Sequence, residues 1–115
     1  MSIDRLNVGP RLSGAVRHAG TIYVAGTVAD DSSAGVQVLT EQILRKIDTA
    51  LAHFGSNKSK LLSATIWLAN MGSYDDMNTA WDAWVDRANT PARATVESRL
   101  ARPAFLVEIS VIASV

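Results

Sequence analysis

Only two stretches of this 115-residue chain carry apolar residues at helical spacing, and both are set among short segments where apolar and polar residues alternate. Two helices can cover one face of a sheet and no more, so the pattern leaves the other face in want of a partner. The first helical stretch starts at about Val36 and lines up Leu39, Ile43, Ile47, Ala50, Leu51 and Phe54, with Gly55 placed to stop it. Ser33 is the expected N-cap, and Glu41 and Arg45 form an i,i+4 pair on the outer face. The second stretch opens on Ser73-Tyr74-Asp75-Asp76, which fits a capping box, and aligns Met77, Trp81, Trp84, Val85 and Ala88. Asn89 and Pro91 are the expected stop.

The remaining segments read as strands. Residues 3–8, 12–19 and 21–25 are punctuated by Gly9-Pro10 and by Gly20, which suggests a meander. A fourth, 61–69, alternates Ala64, Ile66 and Leu68 with Thr65, Trp67 and Ala69, so neither of its faces is very polar. The last two, about 92–99 and 106–114, are expected to form a hairpin through residues 101–104. The order β-β-β-α-β-α-β-β implies one α+β domain over residues 1–115: a single six-stranded mixed sheet with two helices on one face. The bare face, with Trp67, Leu106 and Ile112, calls for a closed homo-oligomer.

One residue breaks the last strand's apolar run. Phe105, Val107, Ile109, Val111, Ala113 and Val115 point one way and suit the core, while Glu108 shares the other side with Leu106, Ser110, Ile112 and Ser114. A carboxylate among apolar residues costs several kcal/mol unless it is paired or hydrogen-bonded. On the preceding strand Arg93, Thr95, Glu97 and Arg99 share a face, and Arg93 is expected to look toward the same side as Glu108. Two readings stand at this point: an interfacial salt bridge that fixes register, or a cleft in which Arg93 takes a carboxylate and Glu108 handles a water.

Composition removes several classes of function. Eleven basic and eleven acidic residues leave no net charge and no basic cluster, which disfavours nucleic acid. No apolar run approaches the roughly 20 residues a membrane span needs, and residues 1–5 lack a signal-peptide core, so a cytoplasmic protein is expected. There is no cysteine, and His18 and His53 sit in no ligand spacing, so no metal site and no cofactor are expected. The chain also lacks a Gly-x-Ser-x-Gly elbow, a phosphate loop and a Gly-x-Gly-x-x-Gly fingerprint. Trp81 and Trp84 read as core packing, Asn78 as a surface or first-turn residue, and Glu41, Arg45, Lys46 and Asp48 as a solvated helix face.

Pro91-Ala92-Arg93-Ala94-Thr95-Val96-Glu97, followed by Val107-Glu108-Ile109-x-x-Ile112-Ala113, resembles the signature of the RidA family, also called YjgF or RutC. Gly9-Pro10, Tyr23-Val24-Ala25-Gly26, Ala64-Thr65-Ile66-Trp67-Leu68 and Met77-Asn78-x-x-Trp81 extend the resemblance over nearly the whole chain. Gly55-Ser56-Asn57-Lys58-Ser59 and Trp81-Asp82-Ala83-Trp84-Val85 are similar to the YoaB-like branch. The resemblance implies a chorismate-mutase-like fold, a homotrimeric barrel with intersubunit clefts, and hydrolysis of enamine or imine intermediates such as 2-aminoacrylate to 2-keto acids and ammonia. Within it, Arg93 matches an arginine that clamps the substrate carboxylate and Glu108 a glutamate that orients water, with Gly26 and Asn78 at the pocket. Arg11 stands where a pocket tyrosine is usual and Thr95 where cysteine is frequent, so both bear on which substrate fits. The resemblance leaves room for a non-catalytic binder of small carboxylates or keto acids and, less in keeping with the charge, for an endoribonuclease.

Overall fold

The computed structural model describes residues 2–31 and 33–115. Three antiparallel strands come first: β1 (Ile3–Val8), β2 (Ser13–His18) and β3 (Thr21–Thr27), the expected meander. Helix α1 (Val36–His53) leads to β4 (Leu61–Leu68), then α2 (Tyr74–Trp84), β5 (Ala92–Glu97) and β6 (Val107–Ser114). All six strands form one sheet in the order β1-β2-β3-β6-β4-β5.

The expected hairpin between the last two strands does not form. β4 lies between them, paired antiparallel to β6 and parallel to β5, and α2 supplies the crossover that a parallel pair requires. β4 has little polarity on either face and takes an interior position, whereas β5, with its Ala, Arg and Thr, becomes an edge. The segment after β5 steps over the end of β4, where Ser98 N–H donates to the Leu68 carbonyl and Ala69 N–H to that of Leu106.

Helix boundaries follow local chemistry. Gly55, at φ +77°, closes α1: its N–H reaches the Ala52 carbonyl and that of Ser56 reaches Leu51, which satisfies two of the helix's last acceptors. At the other end the N-cap is Gly35, without a side-chain cap, rather than Ser33. The Ser33 hydroxyl is instead spent on Asp31, which also accepts the Ser33 N–H. Ser73 precedes α2 but closes no capping box, because it ends a short 3-10 turn whose cap is Asn70, accepting from Gly72 N–H at 2.7 Å. α2 also stops at Trp84, short of Ala88, Asn89 and Pro91. Asp86 turns the chain there, accepting from Ala88 N–H and from the Asn89 amide.

Both helices lie on one face of the sheet. Leu39, Ile43, Leu44, Ile47 and Leu51 of α1 and Met77, Ala80 and Trp81 of α2 are buried against Ile22, Val24, Ile66, Leu68, Val107, Ile109 and Val111. Burial along β6 alternates residue by residue as its sequence predicts, with Val107, Ile109, Val111 and Ala113 inside and Glu108, Ser110, Ile112 and Ser114 on the bare face. That face also carries Tyr23, paired with Ile112, and Val96, paired with Trp67, which are 49% and 42% exposed. The expected Glu41–Arg45 ion pair is not among those of the described residues, which join Arg17 to Asp4 and Lys46 to Asp30. Among the described residues no helix is long and apolar enough to cross a membrane.

Candidate functional site

The edge strand β5 and the helix α2 together hold Arg93. Its Nη1 donates to Asn78 Oδ1 at 2.8 Å and its Nη2 to the Tyr74 hydroxyl at 3.2 Å. Beneath, the guanidinium carbon lies 5.3 Å from the centre of the Trp81 ring and 5.9 Å from that of Tyr74. Tyr74, Asn78 and Trp81 fall at i, i+4 and i+7 on α2 and therefore share the face turned to β5. Aromatic faces and neutral acceptors orient a guanidinium without cancelling its charge. Among the described residues Arg93 is in no ion pair, so a half-buried cation is left with donors for an incoming anion.

Thr95 stands two residues along the same strand and on the same face. Its Oγ1 is buried and has no hydrogen-bond partner among the described residues. A buried hydroxyl left unpaired costs about 1–3 kcal/mol.

Glu108 belongs to a different half of the molecule. It is paired across the sheet with Trp67, while Arg93 is paired with Ala64, a buried residue of the helix-covered face. Arg93 and Glu108 therefore point to opposite faces, contrary to the shared side that the sequence suggests. Two strand spacings and three residues along β4 also separate them, roughly 14 Å between Cα atoms. The parity of β5 is unreadable from sequence because its apolar residues, Ala94 and Val96, lie on the bare face, and its charged Arg93 turns to α2. An Arg93–Glu108 salt bridge within one copy is excluded by the same geometry.

What Glu108 does meet is Gly26. The β3–β6 register slips between Val24 and Thr27, and the Glu108 carboxylate fills the space a Cβ at Gly26 would need, with Cδ 3.0 Å away. Beyond the last β2–β3 pair, Ala15 with Val24, the sheet opens into a cavity of about 450 Å³ lined by Asn7, Gly14, Gly26, Thr27, Lys46 and Thr49, among others. Gly26 thus borders both the carboxylate and an open cavity.

The residues singled out from sequence accordingly fall into two separate groups. Arg93, Asn78 and Thr95 come together at the β5–α2 edge, and Glu108 and Gly26 come together at β6 and β3. Arg11 joins neither: it is an exposed residue of the β1–β2 turn, at the far end of the sheet from β5. Asn78 is not the surface residue its position suggested, and Trp81 does more than fill the core. Tyr74 was hidden in the capping-box pattern, and the i, i+4, i+7 spacing of Tyr74, Asn78 and Trp81 was the signal that could have found it. No group of three or more His, Asp or Glu among the described residues could hold a metal.

The sequence profile of the family described as Endoribonuclease L-PSP matches residues 2–115. A RutC family protein of Haemophilus ducreyi is 43% identical over 113 residues, covering 98% of this chain and 97% of its own. The RutC family protein YoaB of Escherichia coli K12 is 41% identical over 115 residues, the full length of both. A crystal structure of a YjgF family member from Neisseria meningitidis superposes with a TM-score of 0.96 at 44% identity, over 99% of this chain and 95% of that one.

Proposed function

Since the chain belongs to the RutC/YjgF (RidA) family, whose fold it shares, we propose that it is a hydrolytic deaminase of enamine and imine intermediates, a cofactor-independent cytoplasmic homotrimer releasing 2-keto acids and ammonia. The observation that carries this reading is the state of Arg93: a half-buried guanidinium, oriented by Asn78, Tyr74 and Trp81, with no acidic partner among the described residues. A planar fork of that kind suits a carboxylate, the group common to 2-iminoacids and 2-keto acids.

Because Arg93 and Glu108 face opposite ways, a complete site needs two copies, Arg93 from one and Glu108 from its neighbour. The bare face with Tyr23, Trp67, Val96 and Ile112 supplies apolar surface for that assembly. In such a cleft Arg93 fixes the carboxylate, and the Thr95 hydroxyl, which has no partner among the described residues, gains one. An enamine substrate first tautomerises to the imine, gaining a proton at carbon and losing one from nitrogen. Glu108 then takes a proton from water as its oxygen adds to the C=N carbon and passes it to the nitrogen, which forms the carbinolamine; the carbinolamine hydroxyl proton next moves through Glu108 to the amino nitrogen as the C–N bond breaks, leaving the keto acid and ammonia. Water is the only other reactant. General acid–base assistance of this type is worth about 10²–10⁴ in rate, ample for a reaction that proceeds unaided in water.

A second reading is favoured by the completeness of the Arg93 cluster in one copy without any base: a trimer that binds keto acids and does not turn over. Glu108→Ala separates the two. With imines generated in place by an amino-acid oxidase and trapped by semicarbazide, the deaminase reading requires acceleration in the wild type that disappears in Glu108→Ala, while keto-acid binding persists. No acceleration over buffer with any of several imines defeats it in favour of the binder. The endoribonuclease description of the family draws no support from a chain with zero net charge.

A further inference from the structure

The contacts that hold Arg93 continue beyond α2, and they end on a carboxylate of the other helix. Trp81, under the guanidinium, is 5% exposed and packs against Trp84 with ring centres 5.4 Å apart at 55°. The Trp84 indole N–H in turn donates to both carboxylate oxygens of Asp48 on α1, at 3.1 and 3.0 Å, and the Lys58 ammonium lies 5.6 Å from the centre of the same ring. Asp48 therefore does not belong to a solvated helix face. From these contacts we infer that Asp48 is a positioning residue for Arg93, acting through Trp84 and Trp81 and so setting the affinity for the substrate carboxylate.

The argument is one of degrees of freedom. Arg93 sits on an edge strand, where one side of the backbone has no neighbour, and its long side chain gains direction only from what it lies on. Asn78 and Tyr74 hold two of its nitrogens, and the Trp81 ring, 5.3 Å from the guanidinium carbon, backs the group from α2. Trp81 cannot tilt without moving Trp84, and Trp84 is the ring with a charge-assisted tether to a different element. Asp48 thereby locks the α1–α2 packing and the anion clamp in one contact. A bidentate ligand contact tolerates little angular error, so loosening the tether weakens binding before it unfolds the chain.

This inference rests on Arg93 being the anion clamp, and its test reads Arg93 directly as well as binding. The Nε–Hε resonance of Arg93, assigned by its loss in Arg93→Lys, is displaced by the ring current of Trp81. Asp48→Ala, and independently Trp84→Phe, which keeps a ring but removes the indole N–H, are expected to move it toward the position of an exposed arginine. Both are also expected to raise the dissociation constant for pyruvate or 2-ketobutyrate roughly three- to tenfold, with no further effect of Asp48→Ala in an Arg93→Ala background. Asp48→Asn, whose amide oxygen still accepts the indole N–H, restores the resonance. A resonance that stays in place in both Asp48→Ala and Trp84→Phe overturns the inference, as does a loss of affinity that persists unchanged without Arg93. A resonance that moves in a chain that neither binds keto acids nor accelerates imine hydrolysis upholds the positioning of Arg93 while removing the deaminase reading.

Discussion

Gly26→Ala separates the two groups of residues most cleanly. The backbone at Gly26 is outside the left-handed region, so an alanine there is not strained by its own φ, and any effect comes from the new Cβ. That Cβ meets the Glu108 carboxylate, 3.0 Å from Cδ and closer still to Oε2, which are atoms at the far end of a flexible side chain. Glu108 can swing away at a cost of about 0.5–1.5 kcal/mol for an off-rotamer torsion, which lowers the melting temperature by only a few degrees in a domain of this size. The displacement of the carboxylate, on the order of 1 Å, is what matters for chemistry: a misplacement of that size costs up to about 10²-fold. Steady-state kinetics on an imine substrate should therefore show kcat reduced by roughly 10- to 100-fold, with KM changed by less than about threefold, since the Arg93 cluster is untouched. Wild-type kcat in Gly26→Ala would show that Glu108 need not lie over Gly26 to work. A rise in KM that accounts for the whole loss would place Gly26 with the carboxylate clamp instead.

Two further changes probe the Arg93 half. Asn78→Asp keeps an acceptor for Nη1 but gives the guanidinium the acidic partner it lacks; calorimetry should show affinity for a keto acid falling by at least about tenfold with stability held or raised. Thr95→Val removes a buried hydroxyl that has no partner among the described residues, so the isolated fold should lose little, while affinity for the carboxylate falls by about threefold to tenfold if Oγ1 meets the ligand. Ligand titration alongside thermal unfolding separates these outcomes.

How much of this was legible in the sequence depends on where each residue lies. β6 was readable because one of its faces is entirely apolar and the other holds Glu108, so parity alone assigned both sides. β5 was not, because an edge strand that leaves Ala94 and Val96 on an uncovered face and turns Arg93 toward a helix inverts the ordinary rule. The placement of β4 between β5 and β6 is a matter of long-range pairing, which no local pattern in residues 98–106 announces. Gly55 foretold the end of α1 through a left-handed turn, whereas the end of α2 depended on Asp86 competing for nearby N–H and amide donors, a contest that Asn89 and Pro91 obscured. The motif named Arg93, Glu108, Gly26 and Asn78 but not their grouping. That Asn78 goes with Arg93, and Gly26 with Glu108, follows from register and from α2 lying over β5.

The opposite orientation of Arg93 and Glu108 makes the central claim directly measurable by mixing two inactive chains. On the proposed reading, Arg93→Ala and Glu108→Ala are each expected to abolish every site in their own homo-oligomer. Assembled together at equal amounts with random assortment, about one quarter of the shared sites receive Arg93 from one chain and Glu108 from the other. The account predicts recovery of roughly a quarter of wild-type imine turnover in the co-assembled sample, and none when the two variants are assembled separately and then combined. Turnover that remains at the level of the single variants after co-assembly would mean that one copy supplies both groups, and would contradict the account.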